Sequence, residues 1–355
     1  MIDLISMNYF ALCAFVILSN VLMLWLWKKP IMQEFRGVYD ALQKIHMEST
    51  PRFGGVILYL SLWFYIVISE DNLTLMMSEV LILILPMVVV TFLEDVFNNI
   101  QPRARMASIL LSALMLIFIE NFQLPLINIP GLMDFFIAYP LVLSLLLIVC
   151  LAALANGFNM IDGSNGLLLS SVISILACLY FLADGVGDGM ILSFTALMII
   201  ILFSQMLFNF PYGKMFMGDL GAYGLGLIIG FYTIVFFGRH ADELMSWFAV
   251  LILFYPIFEL IFSMVRRLWS QKKITQADDH HLHQLIFKLL NRNCSPLMAN
   301  NLIVLILIPL WAFPFAWIII QGVEMNFITL ATGIMINGAI YCAYYFLFKK
   351  VSLGS

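Results

Sequence analysis

The sequence predicts an all-α polytopic integral membrane protein of about eleven transmembrane helices, with its amino terminus outside and its carboxyl terminus in the cytoplasm. Three observations predict it. The 355 residues are 63% hydrophobic and 11% charged, against roughly 25% charged in a soluble globular domain, and the mean hydropathy is +1.02. Apolar runs long enough to cross a bilayer, or nearly so, recur along the chain. Lys and Arg collect in alternate loops, as the excess of cations on the cytoplasmic side requires.

The runs fall at about 9-27, 54-69, 79-93, 106-120, 134-155, 166-183, 190-209, 220-237, 246-265, 301-320 and 328-347. The first has Asp3 before it and Lys28 and Lys29 after it, the reverse of a signal peptide's charge order, so it reads as a retained anchor. Several runs are shorter than the ~20 residues a crossing needs, so their ends are expected to extend into polar neighbours. With the amino terminus outside, Arg239 is the single member of the 17 Lys and Arg residues that falls outside. No inverted internal repeat of the kind found in many transporters is visible. The chain 1-355 therefore reads as a single transmembrane domain, with motif loops at 28-53, 94-105, 156-165, 210-219 and 266-300 on the cytoplasmic face. The outside loops carry no convergent motif, and any chemistry is expected to be cytoplasmic.

Net charge is -4, with no basic run or interleaved aromatics, which excludes a nucleic-acid partner. The five cysteines show no CxxC spacing and lie mostly in apolar runs, so they read as packing residues.

The central interruption of the apolar pattern is NGFNMIDGSNGL at 156–167. Asn156, Asn159, Asp162 and Asn165 are spaced by three, which predicts one polar face on a helical extension. Asx capping of a polar loop is the simpler alternative. Glu94 and Asp95 end the third run, where paired carboxylates suit metal binding or proton abstraction, or else pair with Arg103 and Arg105 at a solvated helix end. Asp219 precedes a helix whose Gly221, Gly224, Gly226 and Gly230 admit a neighbouring helix or a ligand. His281 and His283, with His280, Asp278 and Asp279, place three of the five histidines within four residues. Phosphate contact or acid/base work is favoured there, and the two-residue spacing predicts a turn or extended segment. His46, Thr50, Pro51, Arg52, Gly54 and Gly55 lead into the second helix. Carboxylates, histidines and cations on one face suit a multiply phosphorylated substrate bridged by Mg2+, with Mn2+ as the alternative, because hard oxygen ligands are present and thiolates are not.

These ordered motifs, from His46 to about Phe287, resemble those of the polyprenyl-phosphate N-acetylhexosamine-1-phosphate transferases of bacterial cell envelopes. The resemblance implies transfer of a sugar-1-phosphate from a UDP-N-acetylhexosamine to undecaprenyl phosphate, with release of UMP, at the bacterial cytoplasmic (inner) membrane. It implies catalytic roles for Glu94, Asp95, Asp162, His281 and His283. Metal binding is implied for Asp219, Asp95 and Glu94, and substrate binding for His46, Arg52, Arg105, Asn156, Asn159, Asn165 and Lys214. An exposed helix face could support a homodimer.

Departures from the family pattern narrow this. Glu94 and Asn165 stand in place of aspartates, Ala222 of a common serine, Asp279 of a frequent arginine, and Gln284 of a further histidine. The triple-histidine form of the peptidoglycan lipid-forming enzymes is thus absent, which points to the branch that starts O-antigen or other envelope polysaccharides. UDP-N-acetylglucosamine is the expected donor and a 6-deoxy N-acetylhexosamine (QuiNAc or FucNAc) the alternative. Asn165→Asp is expected to be tolerated. An ion-coupled transporter would need acids near the midplane of several helices, and Glu259 alone lies deep in a run. An intramembrane metalloprotease lacks HExxH, and a structural scaffold leaves the polar motifs without a purpose.

Overall fold

A computed structural model describes residues 2–29, 50–119, 123–126, 132–270 and 280–353. His46, Asp278 and Asp279 lie outside the described residues. The described chain is helical throughout: α1 (Ile2–Trp27), α2 (Gly54–Ile68), α3 (Asn72–Leu83), α4 (Leu85–Phe97), α5 (Pro102–Ile117), α6 (Leu132–Ala138), α7 (Pro140–Ile161), α8 (Leu167–Val186), α9 (Gly189–Asn209), α10 (Gly218–Arg239), α11 (Trp247–Ile252), α12 (Phe254–Trp269), α13 (Leu282–Leu290), α14 (Pro296–Ile306), α15 (Ile308–Trp311), α16 (Phe313–Gln321) and α17 (Phe327–Leu353).

Every apolar run is helical, but not every run is one straight span. Among the described residues, seven helical stretches are long and apolar enough to cross a membrane, or up to eight if α3 and α4, bent by 60°, count as one. Proline accounts for the breaks. It lacks the N–H of the helical ladder and its ring meets the carbonyl one turn back. Pro86 sits in the first turn of α4, Pro256 in that of α12, Pro309 in α15 and Pro314 in α16.

The helix α10 is apolar all round and almost wholly buried, as a helix enclosed by other helices should be. It packs on α2, α4 and α7. Its glycines serve helix packing: a Cβ on Gly226 would lie 2.4 Å from Ala155 Cα, and one on Gly55 would lie 2.2 Å from Gly221 N. Small residues let backbones approach in this way where no hydrophobic driving force acts between helices in lipid.

Polar groups gather at the two ends of this bundle. Arg239, at the carboxyl end of α10, lies 3.4 Å from Asp188, whose carboxylate also caps α9 and contacts His240 Nε2 at 3.0 Å. The amino end of α10 holds the larger cluster.

Candidate active site

The first backbone N–H groups of a helix lack partners inside it and carry the positive end of its dipole. Two carboxylates meet those of α10. Asp95, near the end of α4, accepts from Asp219 N and Leu220 N, each at 2.8 Å. Asp162, the residue that ends α7, accepts from Gly218 N at 3.1 Å. Gly218 makes this approach feasible: its φ is +72°, and a Cβ there would lie 2.8 Å from both Asp95 carboxylate oxygens and 2.6 Å from Arg52 O. The 51–55 segment is tied to the same strand of chain by Phe216 N to Pro51 O at 3.0 Å, Gly54 N to Phe216 O at 2.9 Å and Gly55 N to Met217 O at 2.9 Å.

Asp219 projects from the first turn of α10 towards Arg105, whose Nη1 is 2.6 Å from Asp219 Oδ2 and 3.1 Å from Glu94 Oε1. One guanidinium thus bridges two predicted metal ligands. Glu94 Oε2 accepts from Ile100 N at 2.7 Å. Asp95 therefore serves α10 and Glu94 serves the turn into α5, and among the described residues no three His, Cys, Asp or Glu side chains form a metal cage. Asp219 Oδ1 and Asp162 Oδ1 carry no hydrogen bond among the described residues. Burial beneath the helix ends pushes the Asp162 carboxyl up to about 8; the charge of Asp219 adds to this, and Arg52 and the Gly218 N–H oppose it.

The predicted polar face of 156–165 holds for its first part. Asn159 Nδ2 donates to the Tyr223 hydroxyl at 2.9 Å, and Asn156 Nδ2 donates to Ala152 O at 2.8 Å. The helix then ends at Ile161, and Asn165 leaves that face. Its backbone N donates to Asn300 Oδ1 at 2.9 Å, and its Nδ2 donates to Pro211 O at 3.1 Å and Asn301 Oδ1 at 2.9 Å. This fully buried amide joins the start of α8 to α14, so the expected tolerance of aspartate at 165 is not supported by its surroundings. Lys214 is exposed at the rim, its Nζ 5.2 Å from the Tyr212 ring centroid.

His281 precedes α13 and His283 lies in its first turn, so the pair stands at a helix start rather than in a turn or an extended segment. Gln284 Oε1 accepts from His281 N at 3.2 Å, which gives the glutamine a capping role. The two imidazoles are nearly parallel, with centroids 5.8 Å apart. His283 Nε2 reaches Gly163, where a Cβ would lie 2.7 Å from it, and this brings the histidine pair to the Asp162 loop. His283 Nδ1 is buried without a hydrogen-bond partner. Burial, with the His281 charge, holds the His283 imidazolium down to about 4, and Glu259 opposes the shift.

Motif reading missed three contributors to this neighbourhood: Tyr223, Glu259 and Tyr341. Glu259 stood out as a deep acid, but the partners of all three are distant in sequence and only packing brings them together.

Comparison with known proteins finds similarity over much of the chain. Residues 77–237 match the model of glycosyl transferase family 4. The chain is 24% identical over 246 residues to a probable undecaprenyl-phosphate N-acetylglucosaminyl 1-phosphate transferase of Bacillus subtilis (strain 168), covering 68% of this chain and 66% of that protein. It is 26% identical over 243 residues to an undecaprenyl-phosphate alpha-N-acetylglucosaminyl 1-phosphate transferase of Thermotoga maritima, covering 68% and 70%. A phospho-N-acetylmuramoyl-pentapeptide-transferase of Deinococcus radiodurans is 30% identical over 223 residues, covering 57% and 65%. The chain thus spans about two thirds of the length of these relatives. The family match runs through the Asp95, Asp162 and Asp219 cluster at the amino end of α10, so the part of the chain that builds the site is similar to glycosyl transferase family 4.

Proposed function

We propose that the protein transfers N-acetylhexosamine-1-phosphate from a UDP-sugar to undecaprenyl phosphate and so starts an envelope polysaccharide, such as O-antigen, at the cytoplasmic face of the bacterial inner membrane. The observation that carries the reading is the convergence of Asp95, Asp162, Asp219 and Arg105 on the amino end of one buried helix. An oxygen of the lipid phosphate bonds to the sugar-proximal phosphorus of the donor. The bond from that phosphorus to the bridging oxygen breaks, and UMP departs with the electron pair. One phosphoanhydride replaces another, so the reaction is close to balance.

Mg2+, or Mn2+ in its place, would join Asp219 and Asp162 to the substrate phosphates and offset their charge. The donor set suits that ion, which is commonly held by one or two carboxylates together with substrate phosphates. Arg52 and Arg105 offer cations to the phosphates, and the unpartnered Nδ1 of buried His283 offers a polar contact. A site at the end of an apolar bundle leaves the polyprenyl tail in hydrocarbon while its phosphate stays at headgroup level. The N-acetylglucosaminyl 1-phosphate transferase names of the Bacillus and Thermotoga relatives support N-acetylglucosamine as the sugar.

The test is UMP release from UDP-N-acetylglucosamine by purified protein, with and without undecaprenyl phosphate and Mg2+. Release that requires both additions is expected. Asp219→Ala is expected to lose at least about 10²–10³-fold in turnover while keeping its melting temperature in detergent. Full activity in that folded variant would remove the metal assignment. A panel of other UDP-N-acetylhexosamines decides the sugar, and no release from any of them would overturn the transferase reading.

A further inference from the structure

Glu259 lies inside α12 with no exposed surface, where an ionisable side chain in a membrane bundle is costly unless it is partnered. Three donors meet it. Glu259 Oε1 is 3.0 Å from His281 Nδ1 and 3.4 Å from Leu282 N, and Oε2 accepts the Tyr341 hydroxyl at 2.7 Å. Ser263 Oγ, one turn further along α12, is 3.2 Å from the same imidazole nitrogen. Tyr341 is itself fixed: it is fully buried on α17 with its ring 4.9 Å from that of Phe258 and 5.1 Å from that of Phe262.

A ring nitrogen facing a carboxylate carries a proton, because two facing lone pairs repel and the bond made at one nitrogen sets the state of the other. His281 Nε2 then lies on the ring edge away from Glu259. The stacked ring of His283 continues from His281 towards Gly163 and Asp162.

We propose that Glu259, braced by Tyr341, is a positioning residue for His281: it holds Nδ1 protonated, fixes the plane of the imidazole, and so determines what Nε2 presents to the substrate phosphates. The substrate part of this rests on the transferase reading; the pairing of Glu259 with His281 does not. The same arrangement gives the deep acid a role at the site rather than in an ion relay.

The first test needs no variant of Glu259. Nitrogen-15 NMR of histidine-labelled protein in detergent at pH 8.5, with His281 identified by signal loss in His281→Asn, reads the protonation of each ring nitrogen. Nδ1 protonated is expected; Nδ1 unprotonated overturns the proposal whatever the enzyme's activity. The second test is kinetic. Glu259→Gln keeps the shape and removes the charge, and an approximately 10- to 100-fold loss in kcat is expected, as for other residues that orient a functional imidazole. KM for the sugar nucleotide should stay within about threefold, Glu259→Asp should restore part of the rate, and Tyr341→Phe should show a smaller loss of the same kind. Unchanged kcat in folded Glu259→Gln, or a loss explained by the unfolded fraction alone, overturns it. If the unaltered protein releases no UMP from any donor, the transferase reading fails, and the NMR result still decides the pairing.

Discussion

A carboxylate at position 165 would face two oxygens, Pro211 O and Asn301 Oδ1, in place of the two donations that Asn165 Nδ2 now makes. Leaving buried acceptors unmatched costs about 1–3 kcal/mol. Asn165→Asp is therefore expected to lower the melting temperature in detergent by several degrees; an unchanged value would show that the amide is not the donor. His283 makes a separate prediction through pH. Its folded value is held near 4 by burial, below the ordinary 6.5. Between those values the unfolded chain binds a proton that the folded chain refuses. The stabilising contribution is therefore full above about pH 6.5 and is lost as pH falls towards 4. The melting-temperature difference between the unaltered protein and His283→Gln should shrink as pH is lowered from 7.5 to 5. A difference independent of pH would mean that His283 is not held neutral by burial.

The amino end of α10 works as an element because three separate chain segments complete it. Asp95 comes from the end of α4, Asp162 from the end of α7, and the 51–55 segment lies along 216–217. Gly218 is where they meet. Gly218→Ala places a Cβ at positive φ against the Asp95 carboxylate, a conformation that costs about 1–3 kcal/mol before any contact is counted. The variant is expected to lose stability and to lose turnover more than Asn156→Ala, whose amide bonds, among the described residues, to its own helix backbone and Met106. Paired measurement of melting temperature and UMP release checks this; equal turnover in the two would separate the α10 amino end from the chemistry.

At the scale of the molecule, the two polar clusters occupy opposite ends of α10. The site surrounds its first turn, and Asp188, Arg239 and His240 surround its last. The orientation proposed for the protein puts the first end in the cytoplasm. In a background with the five native cysteines replaced, a membrane-impermeant maleimide applied to intact spheroplasts should label Asp242→Cys and spare Arg103→Cys, both at exposed positions. The reverse pattern would invert the proposed topology.

The helical class, the positions of the eleven apolar runs and the residues worth testing were legible in the sequence, because lipid imposes long apolar segments and makes every polar interruption costly. Arg239, set apart from the other cations in the sequence, lies at the end of α10 opposite to Arg105. What each polar residue touches was not legible. Asn165 has the spacing of Asn159 but lies past the end of α7, and its partners come from α14 and from 211. Asp95 reads like Glu94 beside it, yet one turns to the backbone of α10 and the other to Ile100 and Arg105. Glu259, His281 and Tyr341 span 82 residues and share no local pattern. Hydropathy is a property of each segment by itself, whereas a hydrogen-bond partner or the need for Gly218 depends on which segments the closed bundle brings within a few ångströms, and only the tertiary structure decides that.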